Sequence, residues 1–125
     1  MISAVSKIVV PVDDQETAVR FWTDTMGFEL VTDQPYGRER WIEVRPPDRG
    51  PVLVLSPRDA TPRHEPAGDQ LPHSDVFFTC TDIQATHAAL ADRGVKFPTP
   101  PVRQDFGWWA LFEDPEGTRY ALGQD

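Results

Sequence analysis

A single cysteine, Cys80, in 125 residues leaves no partner for an internal disulfide and too few thiolates for a cysteine-based metal site. Cys80 falls within the apolar run "VFFTC", where a thiol acts as a small buried hydrophobe. Long apolar runs are missing as well. The opening "MISAVSKIVVPVDD" has no basic stretch ahead of a long hydrophobic one, so neither a signal peptide nor a membrane span is expected, and a cytoplasmic location is. Basic residues are scarce, 12 against 20 acidic, for a formal charge of -8. That balance repels phosphate backbones and anionic lipid, which argues against nucleic acid and membrane partners. It mildly attracts cations, although acidity of this kind also serves solubility alone. No block of like charge resembles a tail, and the length suits one domain with a real core.

Proline, by contrast, is plentiful at 13 residues, and its positions mark loops and strand ends. Residues 7 to 12, "KIVVPV", read as a β-branched strand. In the next stretch, "DDQETAVRFWTDTMG", Asp13 and Glu16 have capping-box spacing, Ala18, Val19, Trp22 and Met26 recur at helical spacing, and Gly27 suits the helix end. "DVFFTC" and "TDIQATHAALADRG" repeat the pattern, with Asp82 as cap, Ile83 and Leu90 inward and Gly94 as stop. Adding 68 carries Asp14 onto Asp82 and Trp41 onto Trp109, and adding 67 carries Gly27 onto Gly94 and Gly50 onto Gly117. Strands at 28 to 32, 41 to 45 and 51 to 56 are mirrored by 96 to 98, 107 to 113 and 118 to 123. The chain therefore reads as an α+β fold of two tandem βαβββ modules, residues 1–57 and 73–125, joined by a proline-rich linker at 58–72.

The tandem tryptophans of "WWALFEDPEGTRYAL" fix which side chains share a face, because neighbours on a strand point oppositely. "DPEG" predicts a type I turn with Gly117 in the left-handed region, which pairs Asp114 with Thr118 and then Phe112 with Tyr120, Ala110 with Leu122 and Trp109 with Gly123. Trp108, Ala110, Phe112, Tyr120 and Leu122 then form the face beneath a helix, which puts Trp108 in the core. Trp109, Leu111, Ala121 and Gly123 form the other face. A large ring beside nearly bare positions lines a cavity, or else it packs on another part of the chain or a second subunit. In the first module the same alternation sends Trp41, Glu43, Lys7 and Val9 away from the helix; in the fifth strand it sends Asp75 and Phe77.

Together, "VPVDDQETAVRFWTDTMGFEL", "CTDIQATHAALADRGVKF" and "FEDPEGTRYAL" resemble the vicinal-oxygen-chelate superfamily of glyoxalase I, extradiol dioxygenases, and fosfomycin- and bleomycin-resistance proteins. The resemblance spans nearly the whole chain. It implies paired modules forming a curved mixed sheet around a cleft, helices on the outer face, and a homodimer. Catalytic members of the superfamily hold a divalent metal through positions that fall here on Lys7, Asp75, Ala121 and Val54. Lysine repels a cation and alanine and valine lack donor atoms, so a metal site is not expected. Lys7 and Asp75 instead suggest an ion pair, worth more for position than for stability.

The expected function is metal-independent and cofactor-free binding of a small aromatic or cationic organic molecule in a cleft walled by Trp41, Trp109, Leu111 and Phe77. Glu43 and Asp75 would favour a cation there. The alternative is an enzyme, using either an atypical metal set of His73, Asp75 and Glu43, or acid–base chemistry by a desolvated Lys7 or a Glu43 of raised pKa. A third reading makes the cleft a dimer-packing surface.

Overall fold

Every second residue of "KIVVPV" is apolar enough to be buried, and the strand forms as β1, Lys7–Val12, with Val10 and Val12 buried and Lys7 and Val9 exposed. The computed structural model of the protein describes residues 1–47, 50–58 and 76–125, and the chain divides into two units, residues 1–61 and 62–125. The linker expected at 58–72 lies outside the described residues except for Arg58. That residue belongs to the first unit: its backbone N–H donates to the Val12 carbonyl at 2.7 Å, and its guanidinium reaches Asp13 at 2.9 Å.

Helix α1, Gln15–Arg20, begins at Asp14 rather than Asp13, because it is the Asp14 carboxylate that accepts from the backbone N–H groups of Glu16 and Thr17. Glu16 does not close a capping box; its carboxylate takes Arg20 at 3.0 Å and Arg40 at 2.9 Å. The helix continues as a π-helical turn, Phe21–Thr25, with the Met26 N–H donating to the Phe21 carbonyl at 2.9 Å. The extra residue in that turn lets consecutive aromatics, Phe21 and Trp22, both enter the core, where their rings meet edge to face at 5.1 Å.

The first sheet has the order β1-β4-β3-β2, with β2 at Glu29–Tyr36, β3 at Glu39–Arg45 and β4 at Val52–Pro57. β1 runs parallel to β4 and the other pairs are antiparallel. Helix α1 packs on β3 and β4. One amide ties it there: Gln15 Nε2 donates to the carbonyls of Arg40 at 2.6 Å and Leu55 at 2.8 Å, while its Oε1 accepts from the Arg40 N–H.

The second unit repeats the plan as β5-β8-β7-β6, from β5, Phe77–Cys80, helix α2, Ile83–Asp92, β6, Lys96–Gln104, β7, Gly107–Glu113, and β8, Arg119–Gln124. Asp82 caps α2 as expected, accepting from the Ala85 N–H. Here the glutamine sits on the sheet instead of the helix: Gln124 on β8 accepts from the Ile83 N–H at 2.7 Å. The hairpin register is the one the turn dictates, from Glu113 opposite Arg119 to Trp109 opposite Gly123. β2 and β6 run well past the expected 32 and 98, through Pro35 and through Pro98, Pro100 and Pro101. Both are edge strands, where a missing N–H costs no ladder bond, and register shifts in each absorb the irregularity.

Candidate functional site

Each sheet has one face under its helix and one opposite, and the helix-free faces carry the candidate residues. In the first unit, Lys7 on β1 and Glu43 on β3 flank the central strand β4, level with Val52 and Val54. Their side chains reach across it: Lys7 Nζ lies 2.5 Å from Glu43 Oε2. The same oxygen accepts from Trp41 Nε1 at 2.8 Å. Trp41 is two residues along the same strand, so its indole shares Glu43's face and its ring is held by the N–H while 37% of the residue stays exposed. Tyr36, at the end of β2, brings its ring to 5.7 Å from that of Trp41.

The two donors, Lys7 first and Trp41 second, hold the Glu43 carboxyl below its ordinary pKa against the opposing effect of burial. This corrects the expectation of a raised pKa. A buried carboxylate carrying an ammonium and an indole N–H on one oxygen stays ionised and is a weaker base than a free carboxylate. The same bonding occupies the carboxylate expected to greet a cation. Asp75, the partner expected for Lys7, lies outside the described residues, as do His64 and His73.

In the second unit the helix-free face is apolar. Phe77 on β5 pairs with Ala121 on β8, which pairs with Leu111 on β7. Leu111 and Ala121 are fully buried, whereas Phe77 is 65% exposed and meets the half-buried Trp109 edge on at 6.0 Å. Phe106, 72% exposed at the β6–β7 turn, meets Trp109 edge on at 5.7 Å. Trp108 points to the opposite face but does not reach the core; at the open start of β7 it is half-buried, with the Arg103 guanidinium 6.0 Å from its ring centroid. Gly123 faces Trp109, and a Cβ built on it would meet nothing nearer than 3.7 Å.

The structure thus gathers Lys7, Trp41 and Glu43 on one face, and Phe77, Trp109 and Leu111 on another. Sequence reasoning missed Tyr36 and Phe106. The signal was present: each precedes a glycine of positive φ, Gly37 at 64° in the turn before β3 and Gly107 at 124° at the start of β7.

Of the four positions that the resemblance assigns to metal ligands, the three among the described residues do not fit a metal. Lys7 carries an ammonium engaged with Glu43, and Val54 and Ala121 are buried side chains without donor atoms. Among the described residues, no three His, Cys, Asp or Glu side chains gather in a way that could hold an ion. His87 on α2 packs its ring edge on against Phe97 at 4.6 Å.

Two helix-covered, four-stranded mixed sheets with the same strand order are the paired βαβββ design, and the sequence agrees. The profile of the Glyoxalase/Bleomycin resistance protein/Dioxygenase superfamily matches residues 4–122, and the chain belongs to that superfamily. Among solved structures it is similar to TnmS3, an antibiotic binding protein from Streptomyces sp. CB03234, at 35% identity and a TM-score of 0.80 over 98% of this chain and 96% of that one. A superfamily member from Sphaerobacter thermophilus DSM 20745 is 29% identical with a TM-score of 0.81, over 99% and 98% of the two chains. The uncharacterized protein YetH of Bacillus subtilis (strain 168) is 31% identical over 123 residues, 98% of each chain.

Proposed function

We propose that the protein is a metal-independent binder of a small aromatic organic molecule, with Trp41, Trp109, Leu111 and Phe77 as its binding residues and Lys7, Glu43 and Asp75 as polar complement. The observation that carries this reading is the Lys7–Glu43–Trp41 chain. It puts a positive charge at a position that the resemblance assigns to a metal ligand, and it spends the neighbouring carboxylate on holding an exposed indole in place. A ring fixed in its ready position loses little freedom on stacking with a flat ligand, and such aromatic contacts add about 0.5–1.5 kcal/mol beyond burial. The likeness to an antibiotic binding protein supports a small-molecule ligand.

Intrinsic tryptophan fluorescence titrated with a panel of flat aromatic antibiotics tests it. Saturable quenching that weakens in Trp41→Phe or Trp109→Phe is the expected result, and silence across the panel counts against binding. Stoichiometric metal in protein purified without a histidine tag would overturn metal independence. A homodimer belongs to the same reading, since strands at the sheet edges invite pairing or cover; a sedimentation coefficient of a 14.1 kDa particle at micromolar concentration would dismiss it.

A further inference from the structure

The charge on the first unit's helix-free face is distributed unequally between what is satisfied and what is open. Glu43 is buried, and its Oε2 carries both the Lys7 ammonium and the Trp41 indole N–H. Lys7 differs: its side chain is 49% exposed, and an ammonium has three N–H donors of which Glu43 takes one. The other charges on this face are Arg45, whose field also bears on Glu43, Glu29, which stands opposite Arg45 at 4.0 Å, and the exposed Glu39, two residues from Trp41 on the same strand and opposite Tyr36. Thr32 and Gln34, opposite Glu43 and Trp41, are neutral. On the Lys7 side of the indole, a cation would have to displace a donor from the occupied Glu43 carboxylate and stand beside an ammonium; Glu39 lies on the other side, toward the Tyr36 end of the strand. An oxygen acceptor on a flat ligand would meet spare N–H groups on a fixed positive charge.

We infer that the Lys7 ammonium receives an oxygen of the ligand, so that this face selects planar aromatic molecules bearing an acidic oxygen, carboxylate or phenolate, beside the ring stacked on Trp41. The inference rests on the binding reading above and narrows its ligand class. It also reverses the sign suggested by the acidity of the chain as a whole: at contact distance one local charge outweighs a screened, distributed field.

Three probes of one ring system separate the possibilities when titrated into the full chain by calorimetry near neutral pH: 2-naphthoate, 2-naphthylmethanol and 2-naphthylmethylammonium. The carboxylate is expected to bind at least about tenfold more tightly than the ammonium, with the alcohol between them. Lys7→Met should bring carboxylate and ammonium to within about twofold of each other, and Lys7→Arg should keep the preference. Because removing Lys7 leaves Glu43 without its ion-pair partner, Glu43→Gln supplies an independent arm: it frees the ammonium and should tighten the carboxylate several-fold. Equal or inverted preference in the unaltered protein, a preference that survives Lys7→Met with native circular dichroism, or a carboxylate weakened by Glu43→Gln would each overturn the inference. In those cases a binding alcohol leaves the broader reading standing. Silence from all three probes overturns the inference, and the antibiotic panel then decides the broader reading.

Discussion

Asp114 closes the β7–β8 turn from within. Its Oδ1 accepts from the N–H groups of Glu116 at 3.0 Å and Thr118 at 2.9 Å, and its Oδ2 from the Tyr120 hydroxyl at 3.2 Å. Burial outweighs these bonds and pushes the carboxyl up to about 6, from an ordinary value of 3.8. Between those values the folded chain keeps a proton that the unfolded chain has released, so this group's share of stability is present in acid and is lost as pH rises through 6. Asp114→Asn keeps the Oδ1 acceptor and abolishes the charge. Its stability relative to the unaltered protein, from urea midpoints, should rise by on the order of 1–2 kcal/mol between pH 4 and 7. Glu43 works in the opposite sense: held below its ordinary 4.5 by Lys7 and Trp41, it lends stability above that value and loses it on acidification. Gly123 offers a different residue-level test. An added methyl meets only ordinary contacts, the Trp108 carbonyl at 3.7 Å and the Phe78 carbonyl at 4.0 Å, so Gly123→Ala should leave Tm unchanged. Standing opposite Trp109, the methyl should nonetheless weaken any ligand that uses that ring.

Among the elements, the β7–β8 hairpin was fully legible, because turn chemistry is local: Asp, Pro and Gly at fixed offsets leave one register, and alternation does the rest. The register depends on Gly117 at φ 84°, so Gly117→Ala should cost about 1 kcal/mol or more in urea denaturation. The first helix start was legible only to within one residue. Two aspartates in a row satisfy the same local rule, and the choice between them is made by Asp14 meeting two backbone N–H groups while Asp13 goes to Arg58. Asp14→Ala should therefore lower the thermal midpoint more than Asp13→Ala. β2 and β6 were the least legible. Proline excludes a central strand but not an edge strand, and which strands lie at an edge is a property of sheet order that no local window contains. Trp108 illustrates the same limit: alternation gave its face, but its place at the end of the strand decided its burial.

On the scale of the whole molecule, the duplication was readable by counting, yet what each copy does with it was not. Glu43 and Leu111 occupy equivalent positions on β3 and β7, one ionised and bonded, the other in an apolar face. That Glu43 meets Lys7 comes from β4 lying between their strands, a long-range pairing invisible to spacing along the chain. The net charge of -8 adds a kinetic signature. Long-range repulsion should slow the arrival of an anionic ligand at low salt, so stopped-flow association of 2-naphthoate should accelerate as sodium chloride is raised, the reverse of a cationic probe. The two copies also differ in how their helices are fastened. Gln15 uses its NH2 group to bind two carbonyls, whereas Gln124 uses its oxygen to receive one N–H. Loss of ammonia from Gln124 would leave a better acceptor at a helix start; the same hydrolysis at Gln15 would set oxygen against oxygen twice over. Chemical ageing would therefore pry open the N-terminal half and spare the other.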